Sequence, residues 1–262
     1  MKKYLSIFKI SFIDSLQYGA SIICKFIGFT SMLYILTCLW LYIYKGETTI
    51  MGYTFPMIIW YIILGEAIYA NGKDRDLQRG IQEDILNGDI AYKINKPYFY
   101  PLYIFSRFIG NTFLKTILTY IASIIIGFCF VGKLETFNIK YFPLMFITIL
   151  NAYVINAFIR ITIKELSFWF EDTNPLMWVY DKLFLIFGSI YPLEMLPKSF
   201  HPYLKFIPTY TTVYGPTRLV VNFDMSMFFD VLTVQIITMI LVIMACCFVY
   251  KKGARRVNVN GG

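Results

Sequence analysis

One histidine, His201, occurs in the whole chain, set between Ser199 and Pro202 with no HExxH, serine-nucleophile motif or clustered acid pair beside it. A hydrolytic or metal-dependent enzyme, including one acting on lipid, would lack its acids, bases and nucleophiles here, so no catalytic and no metal-ligating residue is assigned. No G-x-x-x-x-G-K-[ST] loop occurs either, so this chain does not cradle ATP phosphates in the P-loop manner. The five cysteines, Cys24, Cys38, Cys129, Cys246 and Cys247, fall in apolar runs without CxxC or Cys/His spacing and read as small core residues. Charge is scarce as well: 15% of residues, against about 25% in soluble domains. The start, MKKYLSIFKISFIDSL, is broken by Lys9 and Asp14 and has no small-residue cleavage signature, which argues against a removable signal peptide.

What the chain has instead is apolar length. It is 58% hydrophobic and 19% aromatic, with mean hydropathy +0.60, and roughly 20 apolar residues in a helix cross a bilayer core. Six runs reach toward that length, at about 19–44, 55–70, 102–131, 141–163, 174–190 and 227–250. The expected fold is an all-α integral membrane protein, one transmembrane domain over 1–262. The net charge of +8 does not indicate nucleic acid, because the aromatics lie in the spans rather than among the cations. Lys2, Lys3 and Lys9, six Lys/Arg between 71 and 107, Arg160, Lys164, and Lys251, Lys252, Arg255 and Arg256 outnumber those of the alternate loops. By the positive-inside rule both termini and the 71–107 loop are expected in the cytoplasm, in a multi-pass plasma-membrane protein.

Residues 2–17 place Leu5, Phe8, Phe12 and Leu16 at spacings of three and four, an interfacial amphipathic helix occupying 1–18. Glu66, near the end of the second span, is expected to be solvated or paired with Lys73 or Arg75. Asn151 and Asn156 lie in the fourth span about 140° apart on a helix, and either could line a polar pathway or bond a neighbouring helix. Asp181 and Lys182 are adjacent and so cannot be simple helical partners. In the 71–101 loop Ile81, Ile85 and Leu86 form one face of a short helix and Gln82, Glu83, Asp84 and Asn87 the other, with Gly88 as its stop. Prolines 192, 197, 202, 208 and 216 break up the apolar 189–218 stretch, which is expected as short helices dipping into the outer leaflet before the last span.

The loop QEDILNGDIAYKINKP resembles the cytoplasmic loop of ABC-2 type transporter permeases. The far stretch shares that likeness, with Ser189, Tyr191-Pro192, Leu196-Pro197 and Leu204 to Pro208 in the order the family shows. The N-terminal helix and the span count agree, so the resemblance covers nearly the whole chain. The SFWFED segment is similar to the branch whose permeases occur in pairs. The resemblance implies a coupling helix seated in a groove of a separate P-loop ATPase, carried here by Gln82, Glu83, Asp84, Ile85, Asn87, Gly88 and Asp89. It implies an outer gate at Tyr191, Pro192, Leu196, Pro197 and Pro208. ATP and Mg would be bound by the partner alone, and a second permease, identical or related, would complete the conduit. The function implied is export of a hydrophobic or amphipathic substrate. An ATP-independent secondary transporter or channel is the alternative.

Overall fold

Proline punctuates this fold by starting helices. Its fixed φ and missing N–H are tolerated in a first turn, and five helices carry one there. The computed structural model describes residues 2–17, 19–190 and 192–260, with side chains placed except at 19–25 and 257–260. The N-terminal helix α1 (Lys2–Ser15) precedes α2 (Gly19–Ile43). A two-stranded hairpin, β1 (Thr49–Ile50) and β2 (Tyr53–Thr54), follows, turning at Met51 and Gly52, both with positive φ. Next come α3 (Phe55–Asn71), α4 (Arg75–Leu86), the single-turn α5 (Ile90–Ile94), α6 (Tyr100–Val131) and α7 (Phe142–Glu165). The chain continues through α8 (Asn174–Phe184), a run of short 3-10 and π turns, α9 (Gly215–Val221) and α10 (Met225–Asn260).

Among the described residues, five helical stretches are long and apolar enough to cross a membrane: Phe26–Ile43, Phe55–Leu86, Tyr100–Val131, Ile139–Phe168 and Met225–Arg256. The expected fifth span, 174–190, is not among them. Its α-helix is 11 residues long and passes at Leu185 into a π turn, where Phe187 leaves helical geometry (φ −94°, ψ 16°). With the five-residue π turn that continues it to Ser189, the helical run reaches about 24 Å at roughly 1.5 Å per residue, against about 30 Å of hydrocarbon. The chain from Leu185 to Val221 turns back on itself through 3-10 turns at Leu193–Met195 and Lys198–Phe206 and a second π turn at Tyr210–Tyr214.

Helix α3 is the hub. Every residue from Met57 to Ile68 is buried, with α2, α6, α9 and both π turns packed around it. Between apolar helices in a bilayer, packing fit and close approach decide association. Gly127 of α6 lies against the Trp60 ring, whose Nε1 donates to the Gly132 carbonyl at 3.1 Å. One apolar cluster joins Trp40, Tyr53, Tyr61, Tyr214 and Leu219 at one end of the bundle. Another joins Ile81, Ile85, Tyr100, Phe158 and Tyr250 at the end bearing α4, called here the loop end. A third, with Ile68, Met177, Tyr180, Phe184 and Val213, packs α8 on α3.

The N-terminal helix differs from its expected face. Phe8 and Phe12 do pack, edge-on to Phe113 of α6, and Ser11 and Ser15 are buried as well. Leu5 and Leu16 instead stay 65% and 50% exposed. The small serines allow close approach: Ser11 and the Phe8 carbonyl occupy the space a side chain at Gly110 would need.

Candidate functional site

The loop between α3 and α6 carries the predicted coupling residues, and its structure begins with a capped helix. Asp74 accepts from the Leu77 amide at 3.2 Å and from Asn111 at 3.1 Å, which fixes the start of α4 against α6. The helix is longer than the 81–87 stretch the spacing suggested. Leu77, Gln78, Ile81 and Ile85 form its buried face, seated among Tyr100, Ile104, Phe158 and Ile161. Gly88, at φ +82°, ends the segment with a conformation side chains rarely adopt.

The seven predicted residues divide. Glu83, Asn87, Gly88 and Asp89 are exposed. Ile85 is core, and Asp84 turns inward to Lys93 Nζ at 2.5 Å and Tyr100 Oη at 2.8 Å. Gln82 faces the connection between α7 and α8. Its Oε1 accepts from Lys164 Nζ at 2.8 Å and Thr173 Oγ1 at 3.2 Å, and its Nε2 donates to the Glu171 carbonyl at 3.1 Å and Asp172 Oδ1 at 3.3 Å. Lys164 also donates to Asn174 Oδ1 at 2.8 Å and Thr173 Oγ1 at 3.3 Å. It is 2% exposed, so the ammonium is met by neutral oxygens rather than a carboxylate. The Asn174 backbone N–H, with the Gln82 and Asn174 side chains helping, holds the exposed Asp172 carboxyl below the ordinary range.

Leu86, expected on the buried face, is 48% exposed, and Tyr92 on α5 is 78% exposed. Both belong to the same loop as exposed Glu83 and Asp89. Tyr92 had no pattern to reveal it in the sequence, because a single-turn helix carries no periodicity.

Next to the start of α4 lies an ionic cluster built on one buried cation. Arg160, 2% exposed, donates to Asp181 Oδ1 at 2.7 Å and to Asn156 Oδ1 at 3.1 Å, and Lys73 reaches Asp181 Oδ2 at 3.4 Å. Tyr180 Oη donates to the same Asn156 oxygen at 2.9 Å. The expected pairing of Glu66 with Lys73 or Arg75 is therefore replaced: Lys73 is drawn to Asp181, and buried Glu66 accepts from Ser189 Oγ at 2.6 Å. Lys182 lies over Trp178 instead. Asn151 and Asn156 do diverge as their spacing requires, Asn151 reaching Gln235 Oε1 of α10 at 3.4 Å. Gln235, fully buried, donates to the Thr148 and Thr211 carbonyls at 2.9 Å each and joins α10, α7 and the second π turn.

Of the predicted gate, Tyr191 lies outside the described residues. Pro192 is buried, Leu196 half-buried, and Pro197 and Pro208 are exposed. Glu194 accepts from Tyr53 Oη at 3.1 Å and Arg218 Nε at 3.0 Å, tying the segment to the hairpin and α9. His201 Nε2 lies 3.0 Å from the Leu196 carbonyl. No group of His, Cys, Asp and Glu able to hold a metal ion occurs among the described residues.

The apolar helices, the buried hub and the amphipathic loop helix define an all-α, multi-pass membrane protein. The family model described as ABC-2 family transporter protein matches residues 28–261, and the chain belongs to that family, as a transmembrane permease component of the ABC transporter class. Comparison with curated proteins returned no match.

Proposed function

We propose that this chain is the permease subunit of an ATP-driven exporter, with hydrolysis on a separate P-loop ATPase that binds ATP and Mg. The observation that carries this reading is α4. An amphipathic helix is held by a buried seat and a cap, while Glu83 and Leu86 on it and Asn87, Asp89 and Tyr92 just after it are exposed. Rigid apolar and aromatic anchors rimmed by charge suit docking into a partner groove. Family membership supports the same arrangement. Two permeases, identical or related, would enclose the route, and the 189–218 segment would gate it on the outer side. Asn151 and Asn156 take the packing role, since each is bonded across a helix boundary. The substrate class is hydrophobic or amphipathic: a drug, a peptide antibiotic or a lipid.

Isolation of the tagged chain from its own cells in mild detergent, with mass spectrometry of what stays bound, tests this. A P-loop ATPase in stoichiometric amount is expected from the unaltered chain. Leu86→Asp with Tyr92→Ala should lose it while the permease still reaches the membrane. The pairing of buried Arg160 with partly exposed Asp181 favours a second reading, an ATP-independent carrier. Recovery of the chain alone, with transport surviving ATP depletion, would establish that carrier instead.

A further inference from the structure

The α4 and α8 helices are tied at two points, each through a residue that leads into one of them. At the first turn of α8, Asn174 and the preceding Thr173 and Asp172 share the Gln82–Lys164 network. Two turns on, Asp181 holds Lys73, which immediately precedes the α4 cap residue Asp74. The first clasp joins Gln82 of α4 to the residues just before α8, and the second joins Asp181 of α8 to the residue just before the α4 cap, so a tilt of α4 pulls on α8 through both. Both clasps are reinforced from α7, by Lys164 and by Arg160.

The other end of α8 enters the turned-back segment without a loop. Phe184 is fully buried and leads into the π turn, where Gly188 packs against Val213 of the second π turn. Tyr61 Oη donates to the Gly188 carbonyl at 2.7 Å, and Ser189 is held by Glu66. A π turn inside an otherwise helical run is a frequent mark of functional sites. Here two of them meet where α8 ends.

We infer that α8 is the lever between the docking loop and the 185–221 segment, with Gln82 and Asp181 as the positioning residues that strap it to α4. This rests on the ATPase-docking reading of α4. Movement of α4 when the partner binds nucleotide passes through the two clasps, along α8, to the paired π turns. Gln82 then acts by holding α8 and does not touch the partner.

The test is hydrogen–deuterium exchange on the complex purified from its own cells, with and without Mg–ATP and vanadate. In the unaltered complex, nucleotide should change exchange at 75–86 and at 185–189 and 210–221 together. In Gln82→Leu and in Asp181→Asn the change at 75–86 should persist while that at 185–221 is lost. Gln82→Glu combined with Asp172→Asn keeps an acceptor for Lys164 and exchanges donor and acceptor between positions 82 and 172, so it should restore the distant response, which a general loss of packing would not allow. Joint response of both regions in Gln82→Leu and Asp181→Asn would overturn the lever and leave docking intact. Absence of any nucleotide response at 75–86 in the unaltered complex would overturn docking and the lever together.

Discussion

The two ends of the helical bundle are held by opposite means. At the loop end, Arg160 and Lys164 are each 2% exposed, and every contact that fixes them crosses from one helix or connection to another, or spans a turn of α7. At the far end no cation is sealed to that degree: Arg218–Glu194 has side chains 20% and 33% exposed, close to the 19% and 21% of Lys73–Asp181, and Lys205–Asp230 has 49% and 60%. That end depends on prolines, aromatic packing and the hairpin. A charge sealed from water is costly unless paired, so losing a partner should cost more at Arg160 or Lys164 than at the open Lys205–Asp230 pair.

Four substitutions sharpen or break this contrast, each read as thermal unfolding in a fixed detergent. Asp181→Leu strands Arg160 and should cost about 3–5 kcal/mol, the largest effect. Lys164→Met removes the donor from Gln82, Thr173 and Asn174 and should cost about 1–3 kcal/mol through acceptors left bare. Tyr53→Phe at the far end deletes one hydrogen bond to half-exposed Glu194 and should cost about 1 kcal/mol. Lys205→Met should cost at most about 1 kcal/mol, shrinking further in high salt. If Lys205→Met destabilised as much as Asp181→Leu, the distinction between the ends would fail. Sidedness has its own check: an impermeant thiol reagent added outside should leave Asn258→Cys unlabelled, and labelling would invert the topology.

The sequence made some of this legible and hid the rest for physical reasons. Apolar length located α2, α3, α6, α7 and α10, because crossing length is a property of one contiguous run. Prolines marked the turned-back segment, since they act on the backbone where they stand. The 174–190 run gives no sign of the π turn at Leu185, because its apolar composition is continuous through it while the backbone geometry changes. At the candidate site, Glu83, Asn87, Gly88 and Asp89 are exposed at the positions read from the pattern, whereas Gln82 and Asp84 are turned inward. Their partners lie 82 to 91 residues away for Gln82 and nine and sixteen for Asp84. Polar bonds over such separations leave no periodic trace. The same holds for Arg160, whose charge suggested solvent and whose partner Asp181 lies in the next helix.

Helix α10 sets a depth. Its 36 residues reach about 54 Å at 1.5 Å per residue, roughly 24 Å more than a hydrocarbon core of about 30 Å. The surplus is not evenly charged: Lys251, Lys252, Arg255 and Arg256 all stand near one end, and long cationic side chains belong at or beyond the headgroups. Between them Gly253 lies against the Phe168 ring, and Tyr250 one turn earlier meets the same ring edge-on. Phe168 belongs to the junction that leads into α8. The last helix thus works as a plumb line: wherever its basic collar floats, the α7–α8 junction and the loop helix strapped to it are held level with the membrane surface.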